Sequence, residues 1–599
     1  MWISPSKAMN GERAVVLVFV FRILSSLPFS LLPHALSLSL LSLFSLFVEI
    51  RADDSLFLFK TSRPGASSGI MLGAITLPTV MLSKLIQLSR AFSLQRIELD
   101  ELEHMTMQFW ATSACCCGVL IFLSIVMWCA ANNKNPHFSC SVWDAKFSLS
   151  CVILYSVVCC ISLATISHTG FNTALKLLWL LCHGFAAVKL IQHLLNTFPC
   201  CASIGEALLV TSGLVLYFGD MLACTISKVR AALSHPIQAV VTAKSSRISI
   251  SMLTTLFEQV CRLLISPELV SIRYGIKRSE IGIIIQGVLL GLLIFSAVFK
   301  FVICLWEYFW GADKSESRQN KEIGRSLIFF TSLGFIMIAV APSWMMIVLD
   351  FDVHPLLWIF LFVFSEPLKR LSLCIYWLGL IFASVLRFYN ISKNSKIERI
   401  LLRKYYHLLA VLMFLPALIY QPKFLDLAFG AALAVFLVLE IIRVWRIWPL
   451  GKLVHQFMSA FTDHRDSDLL IVSHFSLLLG CALPIWMSSG FNDRPLTPFA
   501  GILSLGIGDT MASMVGHKYG VLRWSKTGKK TIEGTAAGIT SVLAACSVLL
   551  PLLASTGYIL TQHWFPLLIA VTTSGLLEAY TAQLDNAFIP LVFYSLLCL

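Results

Sequence analysis

"TAAGITSVLAACSVLLPLLASTG", residues 535–557, runs for 23 residues without a charge. A helix crossing the hydrocarbon core of a bilayer needs about 20 mostly apolar residues, so this stretch has the length and composition of a membrane span. It follows directly on "GDTMASMVGHKYGVLRWSKTGKKTIEG", residues 508–534, which is basic and glycine-rich. Comparable apolar windows occupy 14–49, 107–131, 147–167, 280–305, 325–349, 355–386, 424–442 and 469–489. Across all 599 residues only 13% are charged and the mean hydropathy is +0.82, whereas soluble domains carry about 25% charged residues. In lipid every backbone polar group must be satisfied within its own segment or barrel, and the alternating strands of a barrel are absent. The sequence therefore predicts an all-α, polytopic integral membrane protein with roughly 13–16 transmembrane helices.

The first apolar run is longer than the core of a signal peptide and is interrupted by Arg22, so we read it as retained spans. The net charge of +13 fits an excess of Lys and Arg in cytoplasmic loops. The 18 cysteines include Cys115-Cys116-Cys117 and Cys159-Cys160 inside apolar runs, with no paired spacing beside histidines. They read as small apolar fillers rather than metal ligands.

The chain changes character near residue 390. In the N-terminal multi-span region, 1–390, spans alternate with polar linkers such as 51–69 and 311–325, and 244–264 has the pattern of an interfacial amphipathic helix. In 391–599 polar groups concentrate into four segments: 395–407, 443–468, 508–534 and 578–590. A pair of spans separates each from the next, which places all four on one side. Lys393, Lys396, Arg399, Arg403 and Lys404 oppose only Glu398, and Lys518, Arg523, Lys526, Lys529 and Lys530 oppose only Glu533. This bias makes the shared side cytosolic.

Several side chains on that side have chemical potential. Gly508, Gly516, Gly520 and Gly528 allow backbone N–H groups to approach a phosphate, and a following helix N-terminus favours anions. Lys529 and Lys530 would neutralise polyphosphate. Asp509 offers hard oxygens to a divalent cation, Mg2+ being the expectation. An ordinary cytosolic loop with glycine turns accounts for the same composition. The segment is not a Walker A loop: Arg523 stands where the first glycine belongs, and Lys530 where Ser or Thr belongs. Asp466 with Arg465, in "FTDHRDSD", could act as carboxylate and phosphate clamp, or be a solvated loop. Asp585 and Asn586 lie at the edge of the last span, where ionisable groups are costly. Glu578, seven residues before Asp585, falls on the same face if the helix is continuous. His407 in "RKYYH" lies near the same face. We expect Asp509 to hold metal, Asp585 to be the base or a second metal contact, Asn586 to position, and Asp466 to be a third candidate.

"GIGDTMASMVGHKYG…RW…TGKKTIEGT" (506–535) resembles the nucleotide-binding motif of the dolichol kinase family. "RKYYHLLA", "FLVLEIIRVWRI", "FTDHRDSDLLIVSHFSLLLGCALPIW" and "LLEAYTAQLDNAFIPL" are similar to its other blocks in the same order, over about 395–599, and 10–110 resembles plant members. Ser525-Lys526 departs from the pattern by an extra residue before "GKKT". The resemblance implies a catalytic region at 391–599. It implies nucleotide contacts at Gly508, Thr510, Ser513, Gly516, Lys529, Lys530, Glu533 and Gly534. It also implies transfer from CTP to dolichol or a related polyprenol, at the endoplasmic reticulum membrane and facing the cytosol, to supply the lipid carrier for glycosylation. A cytidylyltransferase forming a CDP-lipid, a kinase of another prenyl alcohol and a transporter of an anionic metabolite are the alternatives. A transporter would put its polar site near the midplane, within repeats, and neither is visible here. Nothing in the sequence suggests nucleic-acid binding.

Overall fold

The computed structural model describes residues 10–53, 63, 67–97, 99–132, 142–166, 170–243, 279–310, 318–349, 351–394, 399–459, 470–490, 492–524, 530–555 and 564–599. The expected amphipathic helix at 244–264 lies outside these residues. Among those described, the protein is all-α apart from one isolated antiparallel bridge, Arg523 with Thr531. Among the described residues eleven helices are long and apolar enough to cross a membrane, and five shorter apolar helices accompany them. The protein is a polytopic α-helical membrane protein.

The chain forms two compact units, residues 1–277 with 581–583 and 598–599, and residues 278–580 with 584–597. The shift in polar character near 390 falls inside the second unit.

In the first unit, α1 (Gly11–Leu24) and α2 (Leu32–Asp53) are separated by a bend at Pro28, so the first apolar run is two helices. They pack with α4 (Leu99–Asn132) and α7 (Ile204–Ala243) against α3 (Ile70–Ser93), which is buried along its apolar length. Its hydroxyls are satisfied within the helix: Thr76, Thr79 and Ser83 donate to carbonyls one turn earlier. Buried Arg13 pairs with Glu49 at 2.7 Å, and the other Glu49 oxygen accepts from Met71 N at 2.6 Å. That carboxylate satisfies an orphan donor in the first turn of α3. Ser203 and Glu206 form a capping box at the start of α7: Glu206 N donates to Ser203 Oγ at 3.1 Å and Ser203 N to Glu206 Oε2 at 2.8 Å.

Helices in lipid attract by close packing rather than by hydrophobic burial, so small residues mark their contacts. Helix α4 meets α6 (Gly170–Thr197) in this way: a Cβ at Gly118 would lie 3.0 Å from the Gly184 carbonyl oxygen.

The second unit has an outer layer of α8 (Glu280–Trp310), α9 (Arg318–Phe335) with its continuation α10 (Ala341–Val348), α11 (Pro355–Ser365) and α12 (Pro367–Asn394). Between α9 and α10 the helix widens into a π turn, Ile336–Val340, just before Pro342, a residue that removes a backbone donor from the ladder. Aromatic rings of Phe295, Phe299 and Phe329 pack there against Trp445. The site-bearing helices are α13 (Arg399–Tyr420), α14 (Pro422–Trp445), α15 (Gly451–Ser459), α16 (Val472–Ser488), α17 (Thr510–Tyr519, preceded by a π-helical turn Ile502–Asp509), α18 (Ile532–Ser555), α19 (Trp564–Tyr580) and α20 (Asp585–Leu597). The helices are paired between polar segments as the sequence suggests: α13 with α14, α16 with the π turn and α17, α18 with α19. The chain leaves helical conformation between Tyr580 and Asp585. Glu578 and Asp585 are therefore not two turns apart on one helix, as the spacing alone suggested.

Gly118→Leu is expected to lower the thermal midpoint in detergent, since overpacking against backbone costs about 1–3 kcal/mol. Gly379→Leu, where no atom lies within 4 Å of an added Cβ, is expected to leave it near the parent value.

Candidate active site

The site is built around Asp509, the last residue of the π turn, which is 3% exposed. Its Oδ2 accepts from Lys404 Nζ and lies 2.9 Å from His407 Nδ1. Lys404 and His407 are three apart on α13 and so share a face. A buried carboxylate is tolerated when charge and hydrogen bonds compensate its lost hydration, and α13 supplies both. His407 Nδ1 also lies 3.3 Å from Leu505 O. Thr510, 2% exposed, places its Oγ1 3.5 Å from Lys404 O. Ser513 follows one turn later on α17, half-buried.

Lys404 interacts electrostatically with Asp585 and Glu578 as well as Asp509, and Glu578 with Asp509, Asp585, Lys404 and Lys530. Three carboxylates and two lysines from α13, the π turn, α18's leading strand-like segment, α19 and α20 thus share one field where apolar helices end. Asp585 opens α20, with its Oδ1 accepting from Asn586 N at 3.2 Å. Asn586 is buried, and its Nδ2 lies 3.5 Å from Ser476 Oγ of α16.

The basic segment is more ordered than a glycine loop. Its first third is helix α17. Residues 521–524 then run antiparallel to 530–532: Ile532 N donates to Leu522 O at 2.8 Å and Trp524 N to Lys530 O at 3.3 Å. Glu533, in the first turn of α18, accepts from Leu522 N at 3.0 and 3.2 Å, fixing this small hairpin to the helix. Trp524 donates its indole N–H to Thr535 Oγ1 at 2.9 Å and packs its ring on Tyr580, centroids 5.1 Å apart. At the hairpin base Lys530 Nζ donates to the Glu578 carbonyl.

The glycines have a packing role that the sequence reading did not foresee. Gly508 and Gly516 lie in helical backbone, with no positive φ, where α17 and its π turn cross α18. A Cβ at Gly516 would sit 2.9 Å from Thr531 Oγ1 and 3.4 Å from Gly534 Cα, and one at Gly538 would sit 3.0 Å from the Gly508 carbonyl oxygen. Gly534 completes the contact by lying against Ala512 and Gly516. These residues set how closely the Asp509-bearing helix approaches the Lys530-bearing one.

The structure thus gathers Asp509, Asp585 and Lys530 around Lys404 and Glu578, with Thr510 and Asn586 beside them, whereas Glu533 is engaged at the hairpin by Leu522 N. Asp466, Arg465 and Lys529 lie outside the described residues. The bases and His407 of "RKYYH" (403–407) were legible as lying near the same face, but the pairing of Lys404 with Asp509 was not. Glu578 was noticed but not assigned. Nothing in the sequence singled out Trp524 as the residue that anchors the hairpin.

Among the described residues no three His, Cys, Asp or Glu side chains converge as a metal-ligand set. Hard carboxylate oxygens on Asp509 and Asp585 nevertheless fit a cation held mainly by phosphate, the mode Mg2+ favours.

A helical membrane bundle with a buried ion cluster and a pinned basic hairpin at its helix ends defines a class: an integral membrane protein whose ionisable site lies at span ends. The particular family follows from comparison. The dolichol kinase family model matches residues 270–550. The chain is 65% identical over 593 residues to Dolichol kinase EVAN of Arabidopsis thaliana, covering 99% of both chains. It is 39% identical over 260 residues to Dolichol kinase of Homo sapiens, 41% of this chain and 47% of that one. It is 32% identical over 244 residues to Dolichol kinase of Saccharomyces cerevisiae, 40% of this chain and 43% of that one. No solved structure matches. The chain belongs to the dolichol kinase family.

Lys404→Met leaves the Asp509 carboxylate buried with one cation removed, a change worth about 3–5 kcal/mol in buried pairs. Thermal unfolding in detergent should show a large loss for Lys404→Met and a smaller one for Lys404→Met combined with Asp509→Asn. Equal losses would mean that the pair is not coupled.

Proposed function

We propose that the protein is a CTP-dependent dolichol kinase of the endoplasmic reticulum membrane, its site facing the cytosol, making the dolichyl phosphate that serves protein glycosylation. One observation carries the reading beyond family membership: carboxylates and lysines meet beside a basic hairpin where apolar helices end. A water-soluble nucleotide and a lipid alcohol can meet only at such a depth. Phosphoryl transfer is mostly positioning and charge stabilisation, which this arrangement suits.

In this reading Lys530, with Lys529, binds the triphosphate. Thr510, Ser513 and the backbone of the 508–516 segment lie beside it. Asp509 and Asp585 hold the divalent cation, which when bound offsets phosphate charge. Lys404 and His407 both approach Oδ2, so they fix the carboxylate through one oxygen. Asn586, tied to Ser476, keeps the start of α20 in place. Asp466 and Arg465 remain candidates for a further phosphate contact.

Purified protein given CTP labelled on the terminal phosphate, dolichol and Mg2+ should form labelled lipid and release CDP. Release of pyrophosphate would instead indicate a cytidylyltransferase, and equal transfer from ATP would remove the nucleotide assignment. Lys530→Ala should raise the KM for CTP by roughly 10- to 100-fold, the loss of a charge-assisted hydrogen bond of about 1.5–3 kcal/mol, with the lipid KM little changed. Asp585→Asn should depress kcat by orders of magnitude. For the orientation, cysteines placed at positions 400, 455, 525 and 583 should all react with an impermeant reagent from the cytosolic side. Lumenal labelling at any one of them would break the single-site arrangement.

A further inference from the structure

A groove, open on one side, lies between the π turn, α18, α19 and α20. Val542, Val571, Ile589 and Phe593 give it an apolar wall, and Glu578 and Ser574 line it from α19. Ser574 is 5% exposed and, among the described residues, its hydroxyl has no hydrogen-bond partner. A buried hydroxyl without a partner is costly, and this one lines the void. Glu578, four residues on, shares its helix face and stands in the field of both lysines and both other carboxylates. The groove therefore combines an apolar wall with two polar side chains, one of which, Glu578, also belongs to the ion cluster.

We infer that this groove binds the reacting end of a linear isoprenoid alcohol, with Ser574 hydrogen-bonding its hydroxyl and Glu578 receiving its proton. The inference rests on the kinase reading for the reaction but not for the binding. The apolar wall takes the first part of the hydrocarbon, and an alcohol supplies both the donor and the acceptor that Ser574 lacks. In the transfer the alcohol's O–H bond breaks and its proton passes to the Glu578 carboxylate. The freed oxygen bonds to the terminal phosphorus of a nucleoside triphosphate. The bond from that phosphorus to the bridging oxygen breaks, its electron pair leaving with the nucleoside diphosphate. Glu578 is then the carboxylate that faces the acceptor, while Asp509 and Asp585 serve the nucleotide side.

Two measurements test this. In the first, a short isoprenoid alcohol bearing a diazirine is photolysed with the full-length protein in detergent, and labelled peptides are read by mass spectrometry. Label should fall on α18–α20 peptides facing the groove and be lost in Val571→Phe. In the second, kinetics separate the roles. Ser574→Ala should raise the KM for the alcohol about tenfold, the value of one ordinary hydrogen bond, with the nucleotide KM unchanged. Glu578→Gln should lower kcat about a hundredfold or more with the alcohol KM near the parent value. Val548→Phe, on the 72%-exposed outer side of α18, should change neither. Turnover by the parent protein with label outside the groove, or unchanged alcohol KM in both Ser574→Ala and Val571→Phe, overturns the inference and leaves the kinase reading standing. Label in the groove with no phosphoryl transfer overturns the kinase reading and leaves the groove standing as an isoprenoid site.

Discussion

A carboxylate cannot be left alone among apolar helices, and Asp509 is the residue on which that constraint falls. Its compensation comes from another helix, so burying it forces α13 and the π turn into one fixed arrangement. Lys404 and His407 approach the same oxygen, which specifies rotation about both helix axes as well as distance. Replacing such a cluster by apolar residues often leaves a protein as stable or more so. Its retention at the ends of spans is therefore better explained by chemistry than by stability.

The second organising element is steric. Membrane helices come close only where side chains are small, and Gly508, Ala512 and Gly516 meet Gly534 and Gly538 across one crossing. That crossing draws together a helix carrying a carboxylate and a helix whose leading hairpin carries Lys530. Trp524 then fixes one hairpin arm onto Thr535 and Tyr580, while Lys530 at the base of the other donates to the Glu578 carbonyl. Gly508, Gly516, Gly534 and Gly538 thus set helix spacing at the site, a role distinct from the loop flexibility that the number of glycines first suggests.

Polarity is graded along the same helices. On α19, Ser574 and Glu578 face a void whose other wall is hydrocarbon-like, and one turn further the chain breaks before Asp585. The break matters physically. A continuous helix would fix Glu578 and Asp585 on one stripe, whereas the turn at 581–584 lets α20 start in a new direction and brings its first carboxylate into the field of Lys404. Acidic groups close in sequence can then take different partners.

The sequence by itself determined the membrane architecture, because span length and the ban on unsatisfied backbone in lipid leave few options. It also showed where charge concentrates, since charge is conspicuous against an apolar background, and its motifs pointed to the family. It placed the bases of "RKYYH" near the site face but could not say that Lys404 in particular answers Asp509 across more than a hundred residues, because a basic run at a span end also looks like topology. Nor could it distinguish glycines that pack helices from glycines that cradle phosphate, since both roles need only the missing side chain. The orphaned hydroxyl of Ser574 was invisible for a similar reason. A serine in an apolar span normally satisfies itself on the preceding turn, and only the tertiary packing decides whether it does.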